Sequence, residues 1–345
     1  MRILHSPNSS AHQPERYFRR GAIVPHPEQA VRYRRLRDVV LADGHDLMHA
    51  GEFGLGPIKA VHATDYVEFL ATAWARREAV PGIDDEIGSS HFARPHMSRR
   101  PEGILGQIGY YMADTSTPIQ AGTWDAIYGS AQAAVSAAEL LASGEIGAAY
   151  ALCRPPGHHA YANSAGGFCF LNNTAIAARH LVKRSGGRIA IIDIDVHHGN
   201  GTQGIFYETA DVLTLSVHAD PANYFPFYTG YADESGVGAG LDHNHNFPLA
   251  EGADDQTWHK TLADMLALVR SYQPVAVVVA LGFDASVDDP IGAFGVTTDG
   301  FSKAASMIAG LGLPTVLVQE GGYLCDALPL NLSVFLKSFE SAHQV

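Results

Sequence analysis

Five short apolar runs punctuate the chain, at 148–152, 189–194, 212–217, 275–281 and 314–318. Each is nearly continuous rather than alternating, which is the pattern of a strand buried on both faces. Between and after them, apolar residues recur at helical spacing over about 124–143, 170–185, 257–271, 298–311 and 328–340. Strand followed by helix, repeated, predicts an α/β chain with a parallel sheet covered on both faces. Ligands of such sheets bind beyond the carboxyl ends of the strands, so polar residues just after each apolar run are the first candidates for a site. One stretch breaks the pattern. Residues from about 81 to 120, with Arg94-Pro95-His96 and Arg99-Arg100-Pro101, carry Gly, Pro, Ser and charge without clear periodicity. That reads as an insertion loop covering a site or a subunit contact; a mobile surface loop fits the same letters.

Composition narrows the class. At 345 residues, 46% hydrophobic and 17% charged, the chain is a globular protein of one large α/β domain or two small ones. Net charge is −13, from 23 basic and 36 acidic residues. An acidic chain is a poor general partner for nucleic acid and attracts cations, although solubility alone is the plainer reason for the charge. Cys153, Cys169 and Cys325 form no paired framework, so they are expected to be reduced and buried in a cytoplasmic protein. No signal-peptide h-region follows Met1, and no apolar run approaches the ~18 residues of a membrane span.

The richest segment is Asp193-Ile-Asp195-Val-His197-His198-Gly199-Asn200-Gly201-Thr202, at the end of the run 189–194. Period two places Asp193, Asp195 and His197 on one face. Two carboxylates and an imidazole brought together under a fold need compensation, and a metal supplies it. The donor set suits Zn²⁺, Fe²⁺, Co²⁺ or Mn²⁺; a hydrogen-bonded polar strand end is the bland alternative. After 275–281 comes Gly282-Phe283-Asp284-Ala285. Asp284 would complete a three-ligand set that leaves a position open for water. Asp288 and Asp289 read as a solvated acidic loop. After 148–152 comes Cys153-Arg154-Pro155-Pro156-Gly157-His158-His159. Two histidines on a Pro-Gly turn could serve acid–base chemistry, or merely decorate a surface. After 314–318 comes Glu320-Gly321-Gly322-Tyr323, an open turn that could present a phenol to an oxyanion or serve only as structure. The stretch Ala165-Gly166-Gly167-Phe168-Cys169-Phe170-Leu171-Asn172-Asn173 is no phosphate loop, but its backbone could approach a substrate closely.

Taken in order, RPPGHH, GGFCFLNN, DIDVHHGNGTQ, GFDA and EGGY, together with Pro25-His26-Pro27-Glu28 and Val61-His62, resemble the histone-deacetylase-like amidohydrolases of the arginase–deacetylase group. The resemblance covers nearly the whole chain, 1–345, as one domain. It implies an eight-stranded parallel sheet flanked by helices. It implies Zn²⁺ on Asp195, His197 and Asp284, and His158 and His159 as a tandem acid–base pair with Asp193 hydrogen-bonded to His158. It also implies Tyr323 polarising the scissile carbonyl, Phe168 and Phe225 walling a narrow channel, and the Gly167 carbonyl accepting the substrate amide N–H. A structural K⁺ near Asp193, Asp195, His197 and Ser216 is typical of the group. Asn200 stands where many members carry Asp behind the second histidine.

Within that group the chain is most similar to bacterial acetylpolyamine amidohydrolases, through its length, the 81–120 insertion and Gly106-Gln107-Ile108-Gly109-Tyr110-Tyr111. This implies a small cationic acetylated amine as substrate, a narrow acidic entrance and a homodimer or higher homo-oligomer. Ser116 aligns where those enzymes carry an acidic residue, with Asp114 nearby. The alternatives are an acetyl-lysine peptide or protein deacetylase with the same chemistry, an acyl-amine sensor without turnover, and a two-metal ureohydrolase.

Overall fold

The structure, a computed structural model, describes residues 1–79, 82, 85–94, 96 and 99–343. Positions 81, 83–84, 95 and 97–98 of the predicted insertion, Pro95 among them, lie outside the described residues.

The strands are β1 (Arg2–His5), β2 (Arg16–Arg19), β3 (Ala22–Pro25), β4 (Asp46–His49), β5 (Ala148–Leu152), β6 (Ile189–Asp193), β7 (Val212–Ala219), β8 (Asn244–Leu249), β9 (Ala276–Leu281) and β10 (Thr315–Gln319). Eight form one sheet in the order β4-β1-β5-β10-β9-β6-β7-β8. Every pairing within it is parallel. The helices are α1 (Ala30–Ala42), α2 (Gly56–Lys59), α3 (Thr64–Arg76), α4 (Ile104–Tyr111), α5 (Thr123–Ala142), α6 (Asn173–Ser185), α7 (Asn200–Phe206), α8 (Asp255–Tyr272), α9 (Thr298–Ala309) and α10 (Ala327–Ala342).

The continuous apolar runs are explained by what lies on each side. Ala149 and Ala151 of β5 and Ile189 and Ile191 of β6 face one core, with α5 and α6. Their neighbours Tyr150, Leu152, Ala190 and Ile192 face a second core, with α1, α8, α9 and α10. With both faces buried, polar alternation is impossible. Helix ends follow local chemistry: Asn172, Asp254 and Thr297 cap α6, α8 and α9 by accepting a backbone N–H, and α6 stops at Gly186 with φ 67°.

All five predicted strands and five predicted helices are present, with ends shifted by up to three residues. The sequence pattern missed β1, β4 and β8, whose letters RILH, DLMH and NHNFPL are short and partly polar. Edge strands β4 and β8 keep part of their surface in solvent, so they need no apolar run. Helices α1, α3, α4 and α7 and the β2–β3 hairpin were missed too. The insertion is more ordered than expected. Ile87 and Ile119 exchange backbone hydrogen bonds, and Ile104, Ile108 and Tyr111 of α4 are buried. Cys153 and Cys169 are buried free thiols, whereas Cys325 is partly exposed. Among the described residues no helix is long and apolar enough to cross a membrane.

The chain passes from β5 to β6 across a gap that β9 and β10 later fill. Connections therefore leave the sheet in different directions around these four strands, and a crevice opens beyond their carboxyl ends. The segments carrying His158, Asp193, Asp284 and Tyr323 all emerge there.

Candidate active site

Beyond β6, which ends at Asp193, the chain bends through 195–197 and carries Asp195 and His197 into the crevice. Asp284 arrives from β9. One ligand atom from each of Asp195, His197 and Asp284 lies within 4.8 Å of the others, and all three residues are buried. His197 Nδ1 sits 3.1 Å from Asp195 Oδ1 and 3.2 Å from Asp284 Oδ2. The carboxylates are aimed by backbone donors: Gly321 N–H at 2.8 Å to Asp195 Oδ2, and Val196 N–H at 3.0 Å to Asp284 Oδ1. Two buried carboxylates this close repel each other, and burial together with Asp195 raises the proton affinity of Asp284. Nitrogen and oxygen donors converging in a dry site suit a divalent transition metal.

The histidines face this triangle from the turn after β5, and their environments diverge. His158 Nδ1 is 2.9 Å from Asp193 Oδ2, and its Nε2 is 3.8 Å from Asp195 Oδ1. Burial opposes a charge on His158, but Asp195 and Asp193 outweigh it and hold the imidazole well above its usual range. His159 Nδ1 is instead 2.7 Å from Asn200 Oδ1. Burial and the neighbouring His158 and His197 push His159 well below its usual range, so it stays neutral. Because the Asn200 carbonyl oxygen only accepts, His159 Nδ1 carries the proton and Nε2 keeps its lone pair.

Two supports fix the turns. Glu320 Oε2 accepts from Gly157 N–H at 2.6 Å and His158 N–H at 3.0 Å, and Oε1 accepts from Thr174 Oγ1 at 2.6 Å. Arg32 donates to the carbonyls of Glu320 and Gly322, so it clasps the turn that presents Tyr323. Glu28 lies between Arg32 and Arg154, at 3.3 and 2.7 Å, and so joins the Tyr323 turn to the histidine turn. Burial raises the Tyr323 phenol well above its ordinary range, which keeps it a hydrogen-bond donor. Asp289, expected in a solvated acidic loop, instead accepts from the Tyr323 N–H at 2.6 Å; Asp288 is exposed as expected.

A cavity of about 280 Å³ leads from the surface to His159, His197 and Tyr323. Phe168 and Phe225 are among the residues that line it. Phe225 meets the His159 ring edge-to-face at 4.9 Å, and Tyr224 stacks on His197 at 5.1 Å. Gly167 lies in the wall at φ 55°, where an added methyl would overlap the His159 ring. The Gly167 carbonyl oxygen accepts from Cys169 Sγ at 3.3 Å. Asp114 receives the Gly167 N–H at 2.8 Å, and Ser116 Oγ receives the Phe168 N–H at 3.2 Å. The end of the insertion therefore builds one wall. The entrance differs from the expected acidic one: Asp114 is the acidic side chain in its lining, and Arg19 and Arg20 lie at the rim.

Sequence reasoning placed Asp193, Asp195, His197, Asp284, His158, His159 and Tyr323 in one region, and the fold brings all seven together. It did not find Tyr224, Tyr17 or the rim arginines. No motif marks them, since they reach the cavity through packing between distant loops.

Comparison with known proteins identifies the family. The histone deacetylase domain family matches residues 26–339. An acetylpolyamine amidohydrolase of Burkholderia pseudomallei is 44% identical over 96% of this chain and 97% of its own. Acetylpolyamine amidohydrolase 2 of Pseudomonas aeruginosa is 40% identical over the full length of both chains. A crystal structure of acetylpolyamine aminohydrolase from Burkholderia pseudomallei superposes with a TM-score of 0.95 at 42% identity, covering both chains completely. The HDA15 HD domain superposes with a TM-score of 0.79 at 27% identity over 98% of this chain and 87% of that one. The chain belongs to the histone deacetylase domain family.

Proposed function

We propose that this enzyme hydrolyses the amide of acetylated polyamines, such as acetylputrescine, acetylcadaverine or acetylspermidine, releasing acetate and a free amine. The observation that carries this reading is the buried triangle of Asp195, His197 and Asp284 facing His159 and Tyr323 across a slender cavity. The relatives' names supply the substrate class.

Asp195, His197 and Asp284 would hold the divalent ion, with Zn²⁺ the first choice and Fe²⁺, Co²⁺ or Mn²⁺ compatible with the same donors. The ion supplies Lewis-acid polarisation of the scissile carbonyl. Tyr323 donates its phenolic proton as a hydrogen bond to that carbonyl, and this bond strengthens as the oxygen becomes an oxyanion. His159 Nε2 takes a proton from the attacking water, and the water oxygen bonds to the carbonyl carbon. The same proton then passes to the leaving nitrogen as the C–N bond breaks. His158, with Nδ1 2.9 Å from Asp193 Oδ2, is held in place beside the reacting centre. Phe168 and Phe225 exclude water from the walls, and the Gly167 carbonyl would accept the amide N–H.

Two further assignments belong to this reading. Asp193 and Ser216 are register partners on β6 and β7 and line a small internal void with His198, which suits a structural K⁺. A homo-oligomeric contact through the insertion belongs to the same reading, with Leu105 on α4, 62% exposed, one side chain available to it.

The test is kcat/KM of the Zn²⁺-loaded enzyme on N-acetylputrescine, N8-acetylspermidine and an acetyl-lysine peptide, with Tyr323→Phe as control. Preference for the polyamines, reduced roughly 100-fold or more in the control, is expected. Preference for the peptide would move the enzyme to lysine deacetylation.

A further inference from the structure

The cavity entrance carries a charge pattern opposite to that of the whole chain. Strands β2 and β3 form a hairpin in which Arg19 pairs with Ala22. Its two-residue turn is Arg20-Gly21, with φ of 49° and 85°. Positive φ at both central residues is the turn geometry that lets two strands twist together tightly. Alternation along β2 turns Tyr17 and Arg19 inward, while Arg16 and Phe18 face solvent.

The hairpin is docked on the channel wall. Tyr17 meets Phe168 edge-to-face at 5.5 Å and His26 at 5.1 Å. Thr115 Oγ1 donates to the Phe18 carbonyl at 3.1 Å. Arg19 and Arg20 are thereby fixed in the lining of the cavity that contains His159, His197 and Tyr323. Both guanidinium groups lower the proton affinity of the Tyr17 phenol against the effect of burial, so their field reaches the channel wall.

Little opposes that field locally. The ion pairs made by arginines of the described residues involve Arg19 and Arg20 in no case. Asp114 is the carboxylate in the lining, and its oxygens are already engaged by Gly167 N–H and by the N–H and hydroxyl of Ser116. Two guanidinium groups thus share the lining with one carboxylate, whose charge offsets one of them and leaves the lining net positive. The net charge of −13 draws cations toward the molecule, but the last few ångströms are set by the rim.

We infer that Arg19 and Arg20 select substrate by charge, admitting short acetylated diamines and disfavouring acetylated polyamines that bring further ammonium groups to the entrance. This rests on the acetylamine reading above and names the part of that class the site prefers. An acetyl group at the metal triangle leaves a diamine with one ammonium inside the aromatic channel. A spermidine or spermine chain places additional cations against the guanidinium groups. Like charges a few ångströms apart near a protein surface repel by an amount that corresponds to roughly tenfold in affinity or more. Salt weakens the effect, because the screening length falls to about 3 Å at 1 M.

The experiment measures kcat/KM of the Zn²⁺-loaded enzyme for N-acetylputrescine and N1-acetylspermine at about 0.05 M and about 0.5 M salt. The proteins are wild type, the double variant Arg19→Gln with Arg20→Gln, and the charge-keeping double variant Arg19→Lys with Arg20→Lys. Wild type is expected to favour acetylputrescine by roughly tenfold at low salt, with the ratio narrowing at high salt. The glutamine pair should shift the ratio roughly tenfold toward acetylspermine and remove its salt dependence, while the lysine pair keeps the wild-type pattern. Turnover of both substrates with a ratio that the glutamine pair leaves unchanged overturns the rim assignment alone. Absence of turnover of either substrate by wild type removes the acetylamine reading and this inference with it.

Discussion

His159 Nδ1 lies 2.7 Å from the side-chain oxygen of Asn200, whereas its neighbour His158 Nδ1 lies 2.9 Å from a carboxylate oxygen of Asp193. Adjacent rings, 4.0 Å apart, are thus given different partners, one a carboxylate and the other a neutral amide. A neutral acceptor fixes the His159 tautomer without adding charge, which leaves Nε2 free to take a proton. Asn200→Ala removes that anchor. It is expected to lower kcat roughly 10- to 100-fold with a smaller change in KM, since the ring must be oriented for proton transfer. A kcat within about twofold of wild type in steady-state assays would show that packing against Phe225 suffices.

Metal should stabilise the fold. Without the ion, the carboxylates of Asp195 and Asp284 converge beside His197, with one ligand atom of each within 4.8 Å of the others. Zn²⁺ at about 100 times its dissociation constant contributes about 2.7 kcal/mol. Thermal melts should therefore rise by several degrees on adding Zn²⁺ and fall again with chelator. Asp284→Ala should abolish the rise; an equal rise in that variant would place the ion elsewhere.

Gly321 should tolerate no side chain. A methyl there would overlap the carboxylates of Asp284 and Asp195, and the Gly321 N–H is itself a donor to Asp195. Gly321→Ala is expected to weaken metal affinity roughly 10- to 100-fold, the usual cost of disturbing groups that orient ligands. Competition with a chromogenic chelator reads this directly. Unchanged affinity would mean that the turn moves aside at little cost.

Glu320 gives a pH dependence with a definite sign. Burial raises its carboxyl from 4.5 to about 7, against the opposing pull of His158 and the donors Thr174 and Gly157. Below pH ~4.5 folded and unfolded states both hold the proton, so the group contributes nothing to the pH slope there. Between ~4.5 and ~7 only the folded state holds it, and stability is lost as pH rises. Glu320→Gln, which stays neutral, should therefore gain on wild type by up to about 3 kcal/mol between pH 5 and pH 8 in denaturant melts. A gap independent of pH would show that Glu320 is ionised throughout.

Much of this protein is determined locally. A strand buried on both faces must be apolar throughout, so β5, β6, β7, β9 and β10 declare themselves in the letters. Polar residues placed just past such strands must gather in one crevice, which is why Asp195, His197, Asp284 and Tyr323 were legible before any coordinates. The pairing of Asp193 with His158 and of Asn200 with His159 was implied by the family resemblance rather than by spacing, and the fold places both pairs in contact.

Tertiary structure decided the rest. Short edge strands such as β4 and β8 are recognised by the sheet they join, not by their own composition. Asp289 looks like solvated charge until Tyr323, thirty-four positions later, donates its N–H to it. Glu28 matters because Arg32, which braces the Tyr323 turn, and Arg154, in the histidine turn, converge on it. Arg19 and Arg20 reach the entrance only because Tyr17 packs on Phe168, about 150 residues away. Sequence patterning reports what a residue does to its own segment. Burial, charge pairing and channel shape depend on which distant segments meet, and only the folded chain fixes those meetings.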